Sequence, residues 1–221
     1  MDSINEIKNM WQIILPNEAS VLELRAIWPT GMSPKMSPLT LHFRAADYPS
    51  LDACTGAFEV TALKLNKDGF NIYVVMNPID SNFQGAAVKD SDITCRKLLL
   101  IDIDRVEKKT EPATDEEVDA AGALADEVMA YLEQLDWPKP IRVMSGNGHH
   151  LYYKLPETPN SPEAKKCIQQ LLLKLADKFN NESVKIDTVV FNASRITKVV
   201  GTIARKGFES EGRPYRMARV L

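Results

Sequence analysis

Cysteine is scarce in this 221-residue chain: Cys54, Cys95 and Cys167 are far apart and odd in number. That argues against a disulfide framework and against a cysteine-rich zinc site. The three read as reduced core thiols. No apolar run approaches the roughly 20 residues that a bilayer-spanning helix needs, so no membrane partner is expected. The N-terminus, MDSINEIKNMWQ, sets acids among its apolar residues and has no basic segment followed by an apolar stretch. It is not a secretion signal, and a cytoplasmic location is expected. Internal repeats and low-complexity linkers are absent too. What remains, 44% hydrophobic and 26% charged residues, is the profile of an ordinary globular protein. The length suits one large domain or two small lobes sharing an interface, and we expect one compact unit over 1–221.

The net charge of −3 and pI near 5.7 would argue, taken whole, against a nucleic-acid partner. The charge is uneven, however. Nine acids and no Lys or Arg lie between Glu111 and Asp136, whereas from Lys185 to Leu221 eight bases face three acids, a local +5. A basic end on an acidic chain suggests a local anion site, where phosphates would be held.

A capping box of Ser3 with Glu6, and Ile4, Ile7, Trp11 and Ile14 at helical spacing, predict a helix over 3–14. SVLELRAIW, LTLHFR and FNIYVVM read as strands. The stretch NPIDSNFQGAAVKDSD is a loop long enough to suggest function. Thr114 with Glu117 opens a second helix, its stripe formed by Val118, Ala121, Ala125, Val128, Leu132 and Leu135. IRVM, SGNG and HHLYYKL predict a hairpin about a two-residue Asn147-Gly148 turn. Ser161 and Pro162 start another helix, with Ile168, Leu171, Leu172, Leu175 and Phe179 facing inward. Short strands follow around VKID, RITKVVG and YRMARVL. The fold class is α+β, a mixed or antiparallel sheet backed by helices.

Three places carry candidate chemistry. In LLLIDIDR, Leu98 to Arg105, a buried strand ends in two aspartates. Residues two apart share a strand face, so Asp102 and Asp104 stand side by side and repel each other. Burying unpaired charge is costly, so a cation must sit there or one carboxyl must hold a proton. Hard carboxylate oxygens favour Mg²⁺ or Mn²⁺ over zinc. The second place runs from Ser145 to His150, where the turn glycines Gly146 and Gly148 leave backbone N–H groups free to meet an anion. The third is Asp187, in VKIDTVV.

The order IDID, SGNGHHLYY, KIDTVVFNASRITKVVGTIARKG, RPYRMARVL resembles the archaeo-eukaryotic primase superfamily, in particular the primase-polymerases of plasmids, phages and integrated elements. That family's pattern is a hydrophobic DxD, S-G-x-G-x-H, a hydrophobic-Asp, an Arg, and G-T-x-x-R-K-G. The resemblance covers about 70–221; before Leu22 the sequence carries no such signal. It implies a two-lobed core, an N-terminal lobe of about 1–95 and a catalytic lobe of about 96–221 resembling an RNA-recognition fold, with the site in the cleft between them. It implies that Asp102, Asp104 and Asp187 hold two divalent metals, Mg²⁺ or Mn²⁺. Ser145, Gly146, Gly148 and His150 would meet the incoming nucleotide's phosphates, and Arg195, Arg205 and Lys206, with Lys198 and Thr202, would neutralise its triphosphate. His149 occupies the variable position and is expected to pack with Leu151, Tyr153 and Leu155. The implied activity is template-directed nucleotidyl transfer, making or extending primers on single-stranded DNA with NTPs or dNTPs during replication of a mobile element. A helicase, fused or separate, is an implied partner.

Two other readings compete. A tyrosine-dependent nicking initiator would use Tyr152 or Tyr153, but it usually holds its metal with two histidines separated by one residue, which share a strand face, whereas the adjacent His149 and His150 point to opposite faces. A non-catalytic nucleic-acid-binding module would be marked by loss of an acid, and all three are present.

Overall fold

The computed structural model describes residues 3–107 and 110–221. It opens with two short helices, α1 (Ser3–Ile7) and α2 (Met10–Ile14). Strands β1 (Val21–Ile27) and β2 (Leu39–Arg44), helix α3 (Leu51–Lys67) and strand β3 (Asn71–Val75) follow. Next come β4 (Cys95–Arg105), α4 (Asp115–Glu133), β5 (Ile141–Met144), β6 (His149–Pro159), α5 (Pro162–Phe179) and β7 (Val184–Ile186). The chain ends in four short strands, β8 (Ile196–Lys198), β9 (Ile203–Ala204), β10 (Arg216–Met217) and β11 (Arg219–Val220).

Two sheets carry the fold, ordered β2-β1-β3-β8 and β11-β5-β6-β4-β7, with β9 and β10 as a separate ribbon. Every pairing is antiparallel, the second of the two arrangements, mixed or antiparallel, that the sequence left open. The run β4-α4-β5-β6-α5-β7, with sheet order β5-β6-β4-β7, is the split β-α-β arrangement of RNA-recognition domains. Its helices cover one face of the second sheet, α4 against β4, β6 and β7 and α5 against β7, while α3 covers the first sheet. One continuous core joins the sheets, from Leu24, Phe58 and Ile72 to Leu99, Ile101 and Leu151. The chain crosses the division expected near residue 95: β8 comes from its last quarter yet pairs with β3, Val75 opposite Ile196.

Several local expectations hold. Thr114 Oγ1 accepts from Glu117 N, and the Glu117 carboxylate accepts from Thr114 N. Ser161 caps α5 with Pro162 in its first turn. Others are corrected. The helix over 3–14 is broken at Lys8 and Asn9, and Ser3 is already helical, its hydroxyl turned to Met217 Sδ. Glu6 is buried and accepts from Val220 N at 2.8 Å, so a tertiary contact takes the carboxylate that the capping box needed. Leu135 lies beyond the end of α4 and is exposed, unlike the rest of its stripe. Cys54 and Cys95 are core thiols as expected, but Cys167 is exposed. Helix α3 has no counterpart among the sequence expectations; its N-cap is Ser50, whose Oγ accepts from Ala53 N.

Candidate active site

Strand β4 pairs with β6 on one side and β7 on the other, so its end is central to the second sheet. Alternation sends Leu99, Ile101 and Ile103 into the core and Leu100, Asp102 and Asp104 towards a cavity of about 330 Å³. Both sheets line it, with Ile27, Tyr73, Thr197 and Lys198 from the first, Leu100, Asp102, Asp104 and His150 from the second, and Trp28 just past the end of β1. Loops add Ser145, Asn147, Asp187, Arg195, Arg205 and Lys206. Residues separated by more than a hundred positions thus meet in one hollow.

Each carboxylate has a partner. Asp102 lies 3.4 Å from His150 Nε2, and Asp104 accepts from Lys206 Nζ at 3.0 Å. Burial works against ionising Asp102, but His150, Lys206 and Arg195 outweigh it and hold its carboxyl below the usual range. Asp187 is bound in by its backbone, N to Asp102 O at 2.8 Å, and its carboxylate accepts from Val189 N. Lys206 thus supplies a cation beside Asp104, and His150 Nε2 stands beside Asp102. Among the described residues no group of three or more His, Cys, Asp or Glu side chains stands close enough to hold a metal ion. Three carboxylates, those of Asp102, Asp104 and Asp187, nevertheless line the same cavity.

The hairpin after β5 turns through four residues, 145–148, closed by Ser145 N donating to Gly148 O at 2.9 Å. This corrects the two-residue turn: the left-handed residue is Gly146, at φ +104°, and not Asn147. Gly148 lies against β4 so closely that a Cβ would overlap Ile103 O. The two glycines bring the turn onto β4 and β9, and Ser145 and Asn147 line the cavity. Asn147 Oδ1 also accepts from Ala113 N, tying the turn to the start of α4.

The adjacent histidines divide as their strand positions require. His150 lines the cavity, and its Nδ1 lies 2.9 Å from Tyr152 Oη, which in turn lies 2.5 Å from Thr197 Oγ1. This chain of polar groups links β6 to β8, and so one sheet to the other. His149 points to α4, with Arg142 Nε 3.3 Å from its Nδ1. Burial and the Arg142 charge push its pKa down to about 4, so it is neutral near pH 7. Tyr152 was missed as the partner of His150, although its two-residue spacing from His150 on a strand was a sufficient signal. Thr197 carried no local signal.

On the basic side, Arg195, Lys198, Arg205 and Lys206 all reach the cavity. Arg195 donates to Val189 O at 2.6 Å, and the Arg205 guanidinium lies 5.8 Å from the Tyr215 ring centroid. Lys198 is buried, donates to Ile203 O, and has its pKa pushed down to about 7 by burial and the nearby Arg205 charge. Near neutrality it is a divided charge. Thr202 does not line the cavity: it is fully buried and its hydroxyl donates to Val199 O at 2.6 Å. Tyr152 and Tyr153 are buried as well, with hydroxyl pKa values raised chiefly by burial, which leaves neither placed as a nicking nucleophile.

No protein-family model matches the sequence, and no curated protein does either. Solved structures do. The primase-polymerase domain of cyanophage S-2L aligns over 98% of this chain and 88% of its own, at 18% identity and a TM-score of 0.54. The polymerase domain of Mycobacterium tuberculosis ligase D, solved in complex with DNA, aligns over 97% and 79%, at 15% identity and 0.52. The chain has the archaeo-eukaryotic primase-polymerase fold. A third primase-fold structure, primase RepB', aligns over 99% of this chain but 56% of its own, at 10% identity and 0.52. Asp102, Asp104 and Asp187 line one cavity together with Arg195, Lys198, Arg205 and Lys206. No described helix is long and apolar enough to cross a membrane.

Proposed function

We propose that the protein is a DNA primase-polymerase that joins nucleotides on a single-stranded DNA template. The observation that carries this reading is one cavity lined by three carboxylates, Asp102, Asp104 and Asp187, and by three basic side chains, Arg195, Arg205 and Lys206. In the reaction an acceptor hydroxyl attacks the α-phosphate of a nucleoside triphosphate; one P–O bond forms, another breaks, and pyrophosphate leaves while the hydroxyl proton passes to solvent. No side-chain nucleophile is needed, which suits a site made of acids and bases. The barrier falls mainly through alignment and charge neutralisation.

Asp102, Asp104 and Asp187 would hold two Mg²⁺ or Mn²⁺ ions. Such ions stabilise the entering and leaving oxygens of an in-line displacement. Lys206, released from Asp104, would join Arg195 and Arg205 against the triphosphate, and Ser145 and His150 would contact its phosphates. The role in mobile-element replication and the helicase partner belong to the same proposal. The polymerase domain of ligase D was solved with DNA, which supports a DNA template here. The test is primer synthesis and extension on single-stranded DNA with labelled NTPs or dNTPs and either metal. Incorporation that stops on adding EDTA is expected; no incorporation under any combination overturns the reading.

A further inference from the structure

Arg195 projects into the cavity from the loop between β7 and β8, a stretch with no regular secondary structure of its own. A loop is a poor base for a side chain that must meet a triphosphate accurately, unless other groups fix its backbone. Here three polar side chains do so, Asn77 and Asp90 from the segment between β3 and β4 and Arg96 from the start of β4. Asn77 Nδ2 donates to Ala193 O at 2.9 Å, and Arg96 donates to Phe191 O at 2.9 Å. Asp90 Oδ1 accepts from both the backbone N–H and the hydroxyl of Ser194, at 2.9 and 2.8 Å. Ser194 immediately precedes Arg195. Asp90 is held in turn by Lys165 from α5, at 3.3 Å. Although burial opposes its ionisation, the Ser194 and Lys165 contacts bring its pKa down to about 2, so it is a carboxylate throughout the working range. The segment is itself pinned to β1, where the buried Glu23 accepts from Val88 N at 2.7 Å.

We infer that Asp90 is a positioning residue: by gripping Ser194 it fixes the loop that carries Arg195, and so sets nucleotide affinity without touching nucleotide. This rests on the proposed reaction for its kinetic part only. The long connection between β3 and β4 then has a purpose that its own composition does not reveal.

The test uses Asp90→Ala, Asp90→Asn, Arg195→Ala and the double variant Asp90→Ala/Arg195→Ala in the full chain. Losing two hydrogen bonds to a charged acceptor should raise the KM for nucleotide about tenfold in Asp90→Ala, with a smaller change in kcat. Asp90→Asn keeps an acceptor oxygen and should recover most of the loss. The double variant should be no worse than Arg195→Ala alone, because a residue acting through Arg195 has nothing to position once it is gone. Additive losses overturn the inference. Hydrogen exchange supplies a readout free of activity: amides of 187–195 should exchange faster in Asp90→Ala, and unchanged protection there overturns it too. Were the wild type to incorporate nothing, the proposed reaction would fail while the exchange measurement still decided the clamp.

Discussion

At the scale of single residues, the site separates groups that contact the cavity from neighbours that support them. Asp102 and Asp104 are paired with His150 and Lys206, and replacing both aspartates by alanine should abolish incorporation while the chain still folds. Steady-state incorporation together with a thermal melt checks this; incorporation at the wild-type rate would remove both residues from the chemistry. His150→Ala should impair nucleotide use far more than His149→Ala, since only His150 faces the cavity. His149→Ala should instead lower stability, by about 1 kcal/mol or more, through loss of a buried, hydrogen-bonded ring. Equal kinetic losses would contradict the assignment. The division between the histidines was legible because a strand alternates by rule. The displacement of Thr202 from the cavity was not, because a motif position says nothing of which way a hydroxyl turns inside a tight turn.

Among the elements, those governed by local rules were readable and those governed by tertiary contacts were not. The α4 capping box, the α5 start and the β5–β6 hairpin depend on residues within a few positions of one another. The break between α1 and α2 accompanies a tertiary contact of Glu6 with Val220, more than two hundred positions away. Helix α3 was overlooked because its fully buried stripe is only Cys54, Phe58 and Ala62, and small or polar residues elsewhere blur the period. The loops about β8 and β9 yield a prediction of their own. Removing charge at Arg195, Arg205 or Lys206 should raise the KM for nucleotide and leave affinity for single-stranded DNA nearly unchanged. If these residues followed a nucleic-acid backbone instead, each loss would lower the salt dependence of DNA binding by about 0.7 in log–log slope. Titration with nucleotide, and with DNA at several salt concentrations, separates the two.

For the whole molecule, the sheets are not independent modules. β8 completes the first sheet from the far end of the chain, the Tyr152–Thr197 contact bridges the two, and one core runs beneath both. Residues 1–95 and 96–221 made separately should each fail to melt cooperatively, because each would expose core that the other covers. A urea titration followed by near-UV circular dichroism decides it; a cooperative transition in either piece alone would show an autonomous lobe. The sequence division near residue 95 follows the order of the motifs, whereas the partner of β3 lies in a three-residue strand too short to announce its sheet.

The placement of β8 also bears on how the chain is made. β3 is rich in apolar, β-branched residues, and its outer edge pairs only with Ile196–Lys198. On a ribosome moving at roughly 5–20 residues per second, the 120 or so residues between these strands take about 6 to 24 seconds to appear. During that interval a nascent chain carries an unpaired apolar strand edge, the kind of surface that recruits other strands. Its yield in a cell should therefore depend on chaperone supply and translation speed more than its finished stability would suggest.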